Sequence, residues 1–159
     1  MKSRLSWRAQ NVLSRAASQA NCHGCESLGP EHILFGILYE RPCVALRVLG
    51  LVGLDIDRAT TAVTHQVIAI DGPGKTTPHA GITSKSDAGR YSFTKHAANV
   101  MNRAYFESIA LGDPYIGTEH LLLALLFEPD LPSVDSLSQQ KIQYQSVRDL
   151  LQRRARGLA

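Results

Sequence analysis

Aromatic residues make up 6% of this chain, too few to build a stacking platform for single-stranded nucleic acid. Charge of one sign is scarce too: 17 Lys and Arg against 14 Asp and Glu leave a net +3, too mild to argue for a nucleic-acid partner. The basic tail, Arg148, Arg153, Arg154 and Arg156, reads as a solvated helix end, where cations suit the helix dipole. No apolar run approaches the ~20 residues of a membrane span, so no membrane partner is expected. The opening Met1-Lys2-Ser3-Arg4-Leu5-Ser6-Trp7 lacks the apolar stretch of a signal peptide. Three cysteines, an odd number, fit reduced thiols better than a disulfide framework, and the expected location is cytoplasmic. What the chain does have is an apolar fraction of 44% over 159 residues, enough for one compact domain or two intimately packed halves.

The chain also repeats itself. Leu28-Gly29-Pro30-Glu31-His32-Ile33-Leu34-Phe35 returns as Ile116-Gly117-Thr118-Glu119-His120-Leu121-Leu122-Leu123, at an ungapped offset of 88. The first half predicts four helices. Ala9, Leu13, Ala16, Ala17 and Ala20 form one apolar stripe over 6–21, with Ser6 as N-cap and Gly24 at the left-handed position past the end. A second helix enters at Gly29-Pro30, where proline suits the first helical position, and is apolar on more than one face. Arg41-Pro42 ends it. A third is expected over 43–49, stopping at Gly50 and Gly53, and a fourth from Asp55. Residues 71–90, with several glycines and prolines and no periodicity, read as a linker.

The second half runs through the same elements. Phe93-Thr94 matches Leu5-Ser6, Gly112 matches Gly24, and a last helix is expected over 144–154. Residues 131–140 are polar and match least well. No segment alternates as a strand. The expectation is an all-α, eight-helix duplication of a four-helix repeat. It places repeat one at 4–70, the linker at 71–90 and repeat two at 91–156 of a single domain, 1–159. Two such units related by a pseudo-twofold axis cover each other's central helices and leave grooves at their junction.

The strings Ser6-Trp7-Arg8-Ala9-Gln10-Asn11-Val12-Leu13, Leu46-Arg47-Val48-Leu49-Gly50 and both Gly-x-Glu-His helices resemble the N-terminal domain of the Clp AAA+ unfoldases, closest to the ClpC and ClpA type. The resemblance covers residues 4–156. It implies a non-catalytic domain that captures protein clients or adaptors for a hexameric unfoldase feeding a ClpP-type protease. The motor is missing: Ala69-Ile70-Asp71-Gly72-Pro73-Gly74-Lys75-Thr76 lacks the first glycine of a nucleotide-binding loop and has Pro73 inside it. A stand-alone protein or an excised domain is therefore expected, the first favoured, and monomeric on its own. The alternative is a ClpT-like accessory subunit bracing the Clp protease core.

The resemblance also implies a site. In ClpC-type domains the matching glutamates, with the hydroxyl residue before the first helix of each repeat, bind phosphoarginine-tagged proteins. Here the expected pairs are Ser6 with Glu31, and Thr94 with Glu119. A carboxylate suits the guanidinium fork; hydroxyl and backbone N–H groups suit the phosphate. Leu5, Ser6 and Pro30 replace a usual Phe, Thr and Thr, and Pro30 removes one donor and one hydroxyl from the first site. Helix-dipole compensation is the plainer reading of both glutamates. His32 and His120 read as packed histidines with hydrogen-bonded rings. Cys22-His23-Gly24-Cys25 invites a redox or zinc reading, but its counterpart Ala110-Leu111-Gly112-Asp113 is a plain helix end and no second ligand pair lies near. Cys43 reads as a small core residue. No metal, cofactor or catalytic group is expected.

Overall fold

A computed structural model describes residues 5–70, 91–128 and 130–157. Among these are eight α-helices: α1 Trp7–Cys22, α2 Pro30–Tyr39, α3 Val44–Val52, α4 Ile56–Ile70, α5 Lys95–Leu111, α6 Thr118–Phe127, α7 Asp135–Gln139 and α8 Tyr144–Ala155. A 3-10 turn, Pro132–Val134, leads into α7. The expected linker, 71–90, and most of the nucleotide-loop lookalike lie outside the described residues.

The duplication is visible in the element starts. α2 and α6 begin 88 residues apart, as do α4 and α8. Local chemistry explains the shared starts and stops. Ser6 Oγ accepts the N–H of Ala9 at 3.1 Å, and Thr94 Oγ1 accepts that of Ala97 at 3.2 Å, each satisfying a donor the first turn leaves unpaired. Gly24 (φ 72°) and Gly112 (φ 78°) take the left-handed conformation as α1 and α5 end.

One expectation needs correction. α3 does not stop at Gly50 but runs through it to Val52, capped by Gly53 at φ 96°. Helix propensity costs only about 1 kcal/mol at one glycine, and the burial of Leu46, Val48 and Leu49 outweighs it. The helix expected within the polar stretch 131–140 is present as α7, and Leu131, Val134 and Leu137 bury against the rest of the core.

The two halves share one core. α2 and α6 lie at its centre, and Ile33, Leu34, Ile37, Leu121, Leu122, Leu123 and Leu125 are wholly buried. Each is flanked by the first helix of its own repeat, α1 on α2 and α5 on α6, while α3 packs on α6 across the repeats. Gly36 allows the α1–α2 approach: a methyl there would run into the backbone carbonyl of Val12. Among the described residues the only bridges of β type are two isolated parallel ones, Leu5 with Ile116 and Leu28 with Phe93.

Candidate functional site

Those two bridges decide how the site is assembled. Ser6 N–H donates to the carbonyl of Ile116 at 2.9 Å, and Thr94 N–H donates to that of Leu28 at 2.9 Å. The segment entering each repeat's first helix is thus tied to the loop before the other repeat's central helix. The expected pairing is overturned: Ser6 belongs with Glu119, and Thr94 lies beside the loop that carries Glu31. The offset of 88 is the same for partners within a repeat and across repeats, so the sequence alone does not distinguish them.

Ser6 and Glu119 line one cavity of about 450 Å³. Its walls also include Arg8 from α1, Cys43 and Arg47 from the α3 side, and Asp113, Tyr115 and Thr118 around the entry to α6. Glu119 is the second residue of α6, and its carboxylate folds back over Gly117, where a Cβ would lie 2.5 Å from Oε2. A side chain at 117 would displace the carboxylate from this position. Thr118 fixes the arrangement: its buried hydroxyl accepts the N–H of Ala45, in the first turn of α3, at 3.3 Å and donates to Glu119 Oε2 at 3.4 Å.

The cavity's polar groups have defined roles left open. Ser6 Oγ uses a lone pair in its cap, so its O–H remains a donor. Arg8 is anchored by Glu40 at 3.2 Å, and its guanidinium lies 4.8 Å from the Trp7 ring centre. Arg47 is exposed and has no polar partner among the described residues. Glu40, buried at the end of α2, also accepts from Asn11 at 3.1 Å and Arg15 at 2.9 Å. Burial alone raises its pKa, but the bonds from Arg15, Asn11 and Arg8 and the charge of Arg15 outweigh it and hold the carboxyl below its usual range.

His32 and His120 are buried with bonded rings, as expected, and they do more than pack. Gly117 N–H donates to His120 Nδ1 at 2.8 Å, and Gly29 N–H donates to His32 Nδ1 at 3.0 Å. Each histidine therefore takes the position of the reciprocal acceptor in a capping box. With Nδ1 accepting, the proton of His120 sits on Nε2, which donates to Asp113 Oδ2 at 3.0 Å. Ligand atoms of Asp113, Glu119 and His120 lie within 4.8 Å of one another, a grouping the sequence did not suggest. Both ring nitrogens of His120 are committed, which leaves no imidazole lone pair for a metal while those bonds hold. Cys43 is buried and its thiol is pushed up by burial; Cys22 is exposed at the end of α1. Among the described residues no helix is long and apolar enough to cross a membrane.

A duplicated four-helix repeat with a Gly-x-Glu-His entry at each central helix defines a class of paired-repeat helical domain. The chain matches the family described as the Clp repeat N-terminal domain over residues 4–140, and it belongs to that family. It is 32% identical over 128 residues to the chaperone protein ClpB of Oceanobacillus iheyensis, covering 80% of this chain and 14% of that one. It is 30% identical over 128 residues to ClpC/MecB, a negative regulator of genetic competence in Bacillus subtilis, with the same coverage. The chain thus spans about one seventh of these relatives, 14% of their length. Its fold matches the N-terminal domain of the chaperone ClpD from Arabidopsis thaliana with a TM-score of 0.66 at 18% identity, covering 96% of this chain and 95% of that one. It also matches a ClpV N-domain in complex with a VipB peptide, with a TM-score of 0.63 at 20% identity, covering 91% and 82%.

Proposed function

We propose that this chain is a non-catalytic recognition domain that captures protein clients or adaptors for a Clp-type machine, and that it does so through the Ser6–Glu119 cavity. The observation that carries the reading is the cavity's mixed lining: the Glu119 carboxylate lies in one space with the Ser6 hydroxyl and two arginines, Arg8 and Arg47. Such a lining suits a side chain with a guanidinium and an anion on one end. A phosphorylated arginine has both: its guanidinium N–H groups meet Glu119, and its phosphate meets Ser6 O–H and the arginines. That a structural relative takes a VipB peptide supports a protein segment as the ligand. Nothing in the cavity resembles a nucleophile held by a base, so binding is proposed without turnover.

Affinity capture from native lysate, wild type beside the double variant Glu31→Ala/Glu119→Ala, tests this. Diverse clients or an adaptor retained only by the wild type is the expected result. Clp unfoldase or protease subunits retained equally by both forms contradict it and favour an accessory subunit that docks elsewhere.

A further inference from the structure

The two pseudo-equivalent sites are not chemically equivalent. Moving each residue around the Ser6–Glu119 cavity by 88 positions gives its sequence counterpart in the other repeat, and the bridges and caps at that offset fix the same backbone frame around Thr94 and the loop before Glu31. Ser6 becomes Thr94 and Glu119 becomes Glu31, so the hydroxyl and the carboxylate persist. The cations do not. Arg8 becomes His96, and exposed Arg47 becomes Asp135, also exposed. Thr118, which ties Glu119 to the start of α3, becomes Pro30, which has no hydroxyl and no N–H. Two further acids appear, Glu26 for Pro114 and Asp130 for Pro42.

The formal charges follow. Around the cavity, Arg8 and Arg47 balance Asp113 and Glu119, which leaves zero. Their counterparts include four carboxylates, Glu26, Glu31, Asp130 and Asp135, and no lysine or arginine, which leaves −4. A phosphate carries about −1.5 to −2 at neutral pH and is repelled by such a set.

We infer that anion recognition is confined to the Ser6–Glu119 cavity, with Arg47 as the residue that engages the anion, and that the Thr94–Glu31 site does not take a phosphorylated ligand. The chain is monovalent where its duplicated fold suggests two sites. Arg47 is suited to this because it stands on α3, whose first turn faces the cavity, and spends none of its donors elsewhere among the described residues. Arg8 is already shared with Glu40.

This inference rests on the phosphoarginine reading above, and calorimetric titration of the full chain with free phosphoarginine separates the two. The expected result is one site per chain, unchanged by Glu31→Gln and weakened about tenfold or more by Arg47→Glu, as for loss of a bond to a charged group. Asp135→Arg is not expected to disturb the first site. Two equivalent sites overturn the inference and leave the phosphoarginine reading standing; one site lost with Glu31→Gln and kept with Glu119→Gln overturns both the inference and the choice of the Ser6–Glu119 cavity. Undiminished single-site binding by Arg47→Glu overturns the assignment of Arg47. No binding by the wild type overturns both readings. Arg47 is exposed, so its variant is expected to fold, and an unchanged circular dichroism melt checks this.

Discussion

The backbone N–H of Ser6 lies 2.9 Å from the carbonyl oxygen of Ile116, and this bond joins the start of one repeat to the loop before the central helix of the other. Thr94 and Leu28 make the same bond 88 residues away, also at 2.9 Å. The Ser6–Glu119 cavity is therefore a property of the assembled pair of repeats, since its hydroxyl and its carboxylate come from opposite halves.

Ser6 and Glu119 are accordingly expected to be coupled in ligand binding. A double-mutant cycle on phosphoarginine-peptide affinity with Ser6→Ala and Glu119→Gln predicts a coupling of about 0.5–3 kcal/mol. The cycle pairing Ser6→Ala with Glu31→Gln predicts additivity. Ser6→Ala also removes the α1 cap and lowers stability by about 1 kcal/mol in urea titrations.

Glu40 binds Arg8, Asn11 and Arg15 from the face of α1. Its pKa is lowered in the folded state, so its contribution is present above the ordinary value of 4.5 and is lost as pH falls through the folded value. Glu40→Gln is predicted to lower stability by about 1–3 kcal/mol at neutral pH, a range reduced because Arg8 and Arg15 stay partly hydrated. The gap between variant and wild type narrows as pH falls below that of ordinary carboxylates. Urea denaturation at neutral pH and at about pH 3 measures both.

Gly36 and Ala124 occupy the same place in α2 and α6. At Gly36 an added Cβ meets the carbonyl of Val12, whereas α6 already buries the methyl of Ala124. Gly36→Ala is predicted to destabilise by about 1–3 kcal/mol through overpacking, although alanine is the better helix former. A rise in thermal stability contradicts this packing account.

Two of the three thiols, Cys22 and Cys43, are predicted to differ in reactivity. Cys22 is exposed and reacts with a maleimide in the native state. Cys43, buried and with its thiol pushed up by burial, reacts only on unfolding. Mass spectrometry of a timed labelling reaction reads the order.

The duplication, the caps at Ser6 and Thr94, the left-handed Gly24 and Gly112 and the central place of α2 and α6 all follow from local rules, which is why the sequence alone locates them. The crossing of the pairs depends on tertiary placement of residues 5 and 93, and a periodic sequence does not record which copy a segment turns toward. The helix at 131–140 is expected from the duplication rather than from its own pattern, because Leu131, Val134 and Leu137 are set in an otherwise polar stretch. Arg47 was missed as a site residue because α3 reaches the cavity from a distant part of the chain, and the tie of Thr118 to Ala45 was missed for the same reason. Comparison of the repeats at offset 88 carries a signal for both, as Asp135 and Pro30 stand at their counterparts. The charged hubs differ as well. Glu40 collects the cations of the first repeat, while the second uses Glu107, bonded by Arg103 at 2.9 Å and Tyr144 at 2.6 Å.

The most direct measurement is fluorescence anisotropy of one labelled peptide, with its arginine phosphorylated or plain, titrated with wild type and with Glu119→Ala. The account predicts that the phosphorylated peptide binds the wild type, that the plain peptide binds far more weakly, and that Glu119→Ala loses the difference. Equal affinity for both peptides, or binding untouched by Glu119→Ala, contradicts the assignment of this cavity as the recognition site.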